Sequence, residues 1–171
     1  LLAFLFACTA LRSNAAEGYR AVEKHDMRIY AAVRPAVVGI TCRTSPTQGY
    51  FGTGVVVSAD GYILTSTTVV PKGANNIKVF FSGAMEKQAK VVGLDEATEA
   101  ALIKVDAAGL KFVPLSDSAR SRPGEMAYTF GNPFGTLSAD DKVSFSSGYV
   151  SGVYKLTNNG DFQSKYRELV I

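Results

Sequence analysis

Few side chains in this chain of 171 residues could carry out acid–base or metal chemistry. There is one histidine, His25, and there are two cysteines, Cys8 and Cys42. One histidine excludes every multi-histidine metal site, and two cysteines alone cannot complete the four ligands of a structural zinc site. We therefore expect no bound metal, and nothing in the sequence implies an organic cofactor. Any chemistry that needs an imidazole base must use His25.

His25 lies between Lys24 and Asp26, in the most charged stretch of the segment 17–33. The spacing of the apolar residues in this segment is loosely helical, and Pro35 ends the pattern. This setting is typical of a solvated histidine on a helix. Cys42 lies in an apolar run, which favours a small core residue over a nucleophile.

The N-terminal residues 1–11 are almost entirely apolar. As a helix they would span about 16 Å, which is too short for a bilayer core of about 30 Å, so we expect no membrane span. Small residues follow, which predicts a signal peptide over 1–15 that is cleaved after Ala15 and lacks its start. The protein would then be exported, to the periplasm or outside the cell. The alternatives are a lipoprotein signal, with a lipid anchor on Cys8, and a short buried helix.

The overall composition indicates a folded domain without a nucleic-acid partner. The apolar fraction is 47%, the charged fraction is 19% and the formal net charge is +3. This composition can form a core and is unlike that of a disordered tail. A charge of +3 without a run of lysine or arginine is too weak to indicate nucleic-acid binding.

After Pro35 the pattern changes to short runs of β-branched and apolar residues, separated by glycine-rich turns. The runs are 36–42, 51–57, 62–65, 77–81, 88–92, 101–105, 124–130 and 143–153. Short strands with little helix predict an all-β fold, either an antiparallel barrel or a sandwich. The polar stretch from Pro114 to Pro123 is typical of a linker between two β units.

Several motifs in this part of the chain resemble, in order and spacing, those of the Deg/HtrA family of trypsin-fold serine proteases. The resemblance covers about 33–153. Its motifs are Arg34-Pro-Ala-Val-Val38, Gly52-Thr-Gly-Val-Val-Val57, Asp60-Gly-Tyr-Ile-Leu-Thr65, Val91-Val-Gly-Leu-Asp95, Ala101-Leu-Ile-Lys-Val105, Gly131-Asn-Pro-Phe-Gly135 and Ser147-Gly-Tyr-Val-Ser151. An alternative interpretation is an unrelated β-barrel binding domain that matches these motifs by accident. The order of the motifs along the chain disfavours it.

The resemblance implies a trypsin-like double six-stranded antiparallel β-barrel, preceded by a short N-terminal helix. The first barrel would be complete and the second only partly present. The expected divisions are a helical lead-in over 16–34, the first barrel over 35–115, a linker over 116–122 and an incomplete second barrel over 123–171. A partly built barrel exposes unpaired strand edges, so we expect these residues alone to be a poorly behaved monomer.

The family's chemistry is acyl transfer by a nucleophilic serine. A histidine imidazole takes the proton of this serine, and an aspartate orients the imidazole and stabilises its charged form. The family's histidine follows the Ile-Leu-Thr strand, and Thr68 occupies that position here. Threonine does not titrate near neutral pH and cannot act as the base. Glu99 occupies the aspartate position, with one additional methylene group. The family's serine would follow Ile171, and the 171 residues contain no Gly-x-Ser-Gly-Gly turn.

Two functions remain open from the sequence. The first is an exported pseudoprotease of the protein quality-control type, which binds unfolded or extended polypeptide by β-augmentation and forms a homo-oligomer. The second is an active serine endopeptidase that hydrolyses unfolded proteins, with its catalytic serine beyond Ile171. The absence of histidine at Thr68 favours the first. Thr68 or Ser66 as a nucleophile is disfavoured, because neither has a base nearby in the sequence.

Overall fold

The computed structural model describes residues 2–83, 85–132, 142–155 and 168–170. The chain divides into two compact units, Leu1–Ala32 and Val33–Ile171. Helix α1 spans Leu2–Val33 and exposes His25, as the charged setting of that histidine predicts. A 3₁₀ turn that contains Pro35 follows, so the helix ends where the proline predicts. The signal peptide over 1–15 and the lead-in over 16–34 stay predictions.

Among the described residues, no helix is both long enough and apolar enough to cross a membrane. Groups of histidine, cysteine and carboxylate side chains large enough to hold a metal ion are likewise absent from that part of the chain.

Six antiparallel strands form a closed barrel in the order β1-β2-β3-β6-β5-β4. They are β1 (Val37–Arg43), β2 (Gly49–Val56), β3 (Tyr62–Ser66), β4 (Asn75–Phe81), β5 (Met85–Asp95) and β6 (Ala100–Val105). The prediction of a complete first barrel is confirmed. β5 is longer than the predicted run 88–92, and its register with β6 shifts between Val91 and Gly93.

The interior of this barrel is filled by the inward-facing residues of its strands. Ile40, Ile63 and Ile103 are among the largest fully buried side chains, and Cys42 belongs to the same cluster, as its apolar surroundings predict. Close packing leaves no room for a side chain at Gly54, where a Cβ atom would lie 2.6 Å from Ile40 Cδ1. The packing of the barrel's interior therefore requires glycine at the second glycine position of the Gly-Thr-Gly motif.

Among the described residues, two short antiparallel pairs represent the second β unit, which agrees with the expectation of a partial second barrel. The strands are β7 (Met126–Gly131), β8 (Ser144–Tyr149), β9 (Val153–Lys155) and β10 (Glu168–Val170). β7 pairs with β8, and β9 pairs with β10. Phe145 on β8 packs against Tyr128 and Phe130 on β7, with ring centroids 5.6 Å and 5.2 Å away. A 3₁₀ turn, Ser118–Arg120, lies in the predicted linker.

Candidate functional site

Thr68 lies in a tight turn at the end of β3, and Ser66 builds that turn. The carbonyl oxygen of Ser66 accepts hydrogen bonds from the backbone N–H groups of Val69 and Val70, both at 3.0 Å. The Ser66 hydroxyl accepts from the backbone N–H of Thr68 at 2.9 Å, and the two hydroxyl oxygens are 2.5 Å apart. Thr68 itself is exposed. The turn therefore presents a hydroxyl group where the Deg/HtrA resemblance predicts an imidazole.

Glu99 lies beside this turn, because β3 and β6 are neighbours in the barrel. Ser66 pairs with Ala100 at the end of the two strands. One residue further, the backbone N–H of Thr67 donates to the carbonyl oxygen of Glu99 at 2.9 Å. The structure thus brings the two positions predicted from sequence, Thr68 and Glu99, to the same end of the barrel.

Glu99 adopts a backbone conformation that is uncommon for a residue with a side chain. Its φ of 57° lies in the left-handed region. The hydrogen bond from Thr67 fixes this backbone, and the Glu99 side chain is half-buried. The carboxylate position is therefore held by a strained, locally supported turn.

Asp95 orders the loop that leads to Glu99, a role that the sequence reasoning missed. Its carboxylate accepts hydrogen bonds from the backbone N–H groups of Ala97 and Thr98, at 2.9 Å and 3.3 Å, and from the Thr98 hydroxyl at 2.7 Å. The bond from the Thr98 hydroxyl, followed by the two backbone bonds, lowers the pKa of Asp95. Aspartate favours turns because its side chain accepts from the backbone N–H two residues further on, as Asp95 does from Ala97, so Asp95 itself is the sequence signal.

Contacts with β1 and β2 also fix the turn that carries Thr68. The Cys42 thiol donates a hydrogen bond to the carbonyl oxygen of Val69 at 3.2 Å, and burial raises the pKa of that thiol. Gly52 lies against the Val69 side chain so closely that a Cβ atom there would overlap it. Val70 is fully buried. The turn is therefore rigidly supported although it holds no base.

The second β unit reaches the same region through Asn132, which follows β7. Asn132 is 3% exposed, and its backbone N–H donates to the Thr53 hydroxyl on β2 at 2.7 Å. The carbonyl oxygen of Thr53 accepts a hydrogen bond from the Thr65 hydroxyl, on β3, at 2.8 Å. Residues 133–135 of the Gly131–Gly135 motif lie outside the described residues.

A family model described as a trypsin-like peptidase domain matches residues 52–168. The chain belongs to the trypsin-like peptidase family. Its relatives place it with the Deg/HtrA proteases, which confirms the predicted resemblance.

Among curated proteins, a "Probable periplasmic serine endoprotease DegP-like" from Pseudomonas putida is 45% identical over 84 residues, which cover 49% of this chain and 17% of that protein. A "Putative serine protease HhoB" from Synechocystis sp. is 39% identical over 90 residues, which cover 53% of this chain and 21% of that protein. The solved structure "HtrA-type protease AlgWS227A with tripeptide" superimposes with a TM-score of 0.67 and 28% identity, covering 82% of this chain and 43% of that chain. The matched region thus spans about a fifth of these curated relatives.

Proposed function

We propose that this member of the trypsin-like peptidase family binds unfolded or extended polypeptide without cleaving it. The observation that carries the proposal is the exposed Thr68 hydroxyl, held by Ser66 at the position that the family resemblance assigns to the general base. A threonine hydroxyl cannot accept the serine proton near neutral pH. Loss of one triad member costs about four to six orders of magnitude in rate.

The chain's one histidine, His25 on α1, is not the base in this proposal. Glu99 also departs from the family pattern, since its longer side chain extends from a strained left-handed backbone. With no imidazole beside it to orient, the Glu99 carboxylate has no role in acyl transfer.

The framework around the missing base supports a retained binding role. The barrel is closed, the turn at Thr68 is fixed by backbone hydrogen bonds, and Asn132 joins the second β unit to β2. Within the described part of the chain, β8 pairs with β7 alone. Extended peptides bind such sheets by adding a strand to an open edge. Loss of the base therefore leaves a surface suited to an extended chain.

We also infer that the protein is exported and forms a homo-oligomer. Export is supported by the apolar leader over 1–15, and by the word "periplasmic" in the names of several relatives. Oligomerisation is supported by the family resemblance.

The experiment uses fluorescein-labelled casein as an unfolded substrate for the purified 171-residue chain. We expect its fluorescence anisotropy to rise on titration, and peptide release to stay at the rate measured without protein. A compactly folded protein labelled in the same way is the control and should not bind. Cleavage of casein that a serine-directed fluorophosphonate abolishes would overturn the proposal in favour of an active endopeptidase. Absence of both binding and cleavage would overturn the binding role.

A further inference from the structure

Thr53 makes two hydrogen bonds that reach different parts of the chain. Its carbonyl oxygen accepts from the Thr65 hydroxyl at 2.8 Å, on the strand that leads into the Ser66–Thr68 turn. Its own hydroxyl accepts from the backbone N–H of Asn132 at 2.7 Å, a residue 79 positions away at the end of β7. One residue thus contacts both the strand before the degenerate base position and the second β unit.

The backbone of Thr53 is held in place by its two neighbours. A Cβ atom at Gly52 would overlap the Val69 side chain, and one at Gly54 would lie 2.6 Å from Ile40 Cδ1 and 2.8 Å from Ile63 Cγ2. Gly52 and Gly54 are two residues apart and face the same side of β2, so this side of the strand lies directly against both the turn at Val69 and the barrel core. Because this strand cannot shift without displacing buried side chains, the Thr53 hydroxyl is a fixed acceptor.

The backbone N–H of Asn132 cannot easily replace the Thr53 hydroxyl by a water molecule as its hydrogen-bond acceptor. Asn132 is 3% exposed, and a buried N–H group that loses its acceptor retains the full cost of its desolvation. Removing the Thr53 oxygen should therefore move Asn132 away from β2, until its N–H group reaches water.

We propose that Thr53 is a positioning residue, which fixes Asn132, at the end of β7, relative to the turn that carries Thr68. In the proposed function, polypeptide adds to the open edge of the β7–β8 pair, and Asn132 joins that pair to β2. The effect on polypeptide binding rests on the proposed function, whereas the coupling between Asn132 and the turn does not. Thr53 does not itself take part in chemistry.

The test compares Thr53→Val, which keeps the shape and removes the hydroxyl, with Thr53→Ser, which keeps the hydroxyl. The matched control is Thr41→Val, on the neighbouring strand β1, where the structure gives the hydroxyl no partner. Hydrogen exchange at the Asn132 amide is followed by NMR in the 171-residue chain, with the core amide of Ile103 as reference. Binding of fluorescein-labelled casein is measured on the same samples.

We expect exchange at Asn132 to be about tenfold faster in Thr53→Val and casein affinity to be about tenfold weaker, as loss of one buried hydrogen bond implies. Exchange at Ile103 should change little, and both Thr53→Ser and Thr41→Val should stay within about twofold of the parent chain.

Unchanged exchange at Asn132 in Thr53→Val would overturn the proposal. An equal loss in Thr53→Ser would overturn it as well, because the methyl group would then be the feature that matters. If Thr53→Val does not fold, Thr53→Ser and Thr53→Ala, which differ by one hydroxyl, decide in the same way. A parent chain that fails to bind casein refutes the proposed function. Faster exchange at Asn132 in Thr53→Val still supports the positioning role in that case.

Discussion

Replacing Gly54 by alanine tests whether the second glycine of the Gly-Thr-Gly motif serves the barrel core. The new Cβ atom would lie 2.6 Å from Ile40 Cδ1 and 2.8 Å from Ile63 Cγ2. Carbon atoms in contact prefer separations of about 3.5–4.0 Å, so each neighbour must move by about 1 Å. Ile40 is 1% exposed and Ile63 is 0% exposed, so neither side chain can move outward into solvent.

Two effects of this substitution on the free energy of unfolding oppose each other. Overpacking of the core lowers it, and the reduced flexibility of the unfolded chain raises it by a smaller amount. Extra atoms in a packed core destabilise by about 1–3 kcal/mol, while replacing glycine stabilises by about 0.4–1 kcal/mol through the unfolded chain. A net loss of about 1.5 kcal/mol lowers Tm by about 3–6 °C in a chain of this size. Thermal unfolding followed by circular dichroism, at equal protein concentration, measures this shift.

Gly93→Ala is the matched control, because a Cβ atom at Gly93 in β5 meets nothing within 4 Å and its φ is not positive. We expect its Tm to stay within about 2 °C of the parent chain, as surface substitutions usually do. Equal Tm values for Gly54→Ala and Gly93→Ala would refute the packing argument for Gly54.

Three further predictions concern the turn and its surroundings. Ser66→Ala removes the partner of two Thr68 groups and should reduce the free energy of unfolding by about 1–2 kcal/mol in urea denaturation, whereas an unchanged midpoint would show that the turn does not need this hydroxyl. In a Cys8→Ser variant, where Cys42 is the one remaining cysteine, Cys42 should react with Ellman's reagent only after unfolding in guanidinium, since its thiol is buried and its pKa is raised. Rapid labelling of that variant in its native state would contradict the burial of Cys42. The folded-state pKa of Asp95 lies below its unfolded value of about 3.9, so its stabilising contribution is present above that pH and is lost as pH falls through the folded-state pKa. Asp95→Asn should therefore lessen the loss of stability on acidification, and an acid-unfolding midpoint identical to that of the parent chain would exclude this contribution.

The first barrel could be predicted from sequence because its strands carry their own signals. β6 (Ala100–Val105), for example, is a nearly continuous apolar run, and every second residue of it, Ala101, Ile103 and Val105, is buried. The length of β5 was missed because its first half is polar, and because the register shift between Val91 and Gly93 interrupts the alternation. Local propensity therefore located strands well but not their ends.

The candidate site was only half predictable. Thr68 and Glu99 each stand at a fixed offset from a recognisable strand, and the pairing of β3 with β6 brings them together. Their assignment to the base and carboxylate positions of the family stays a prediction. The hydrogen bond between Thr53 and Asn132 joins residues 79 positions apart, and no local pattern records such a contact. Contacts across the two β units depend on packing that the sequence does not display.

The strand order of the barrel also determines when it can form during folding. The β1–β2 and β4–β5 pairings join strands that are adjacent in the chain, so each can form as a local hairpin. Closure, however, requires β1 to pair with β4 and β3 with β6, between partners about 40 residues apart. The chain loses the entropy of closing these long loops before the pairings stabilise it. We therefore expect the slow step of folding to be the joining of preformed hairpins. Substitutions at the β1–β4 seam should then change the folding rate, whereas the turn at Thr68 can be altered with little kinetic effect.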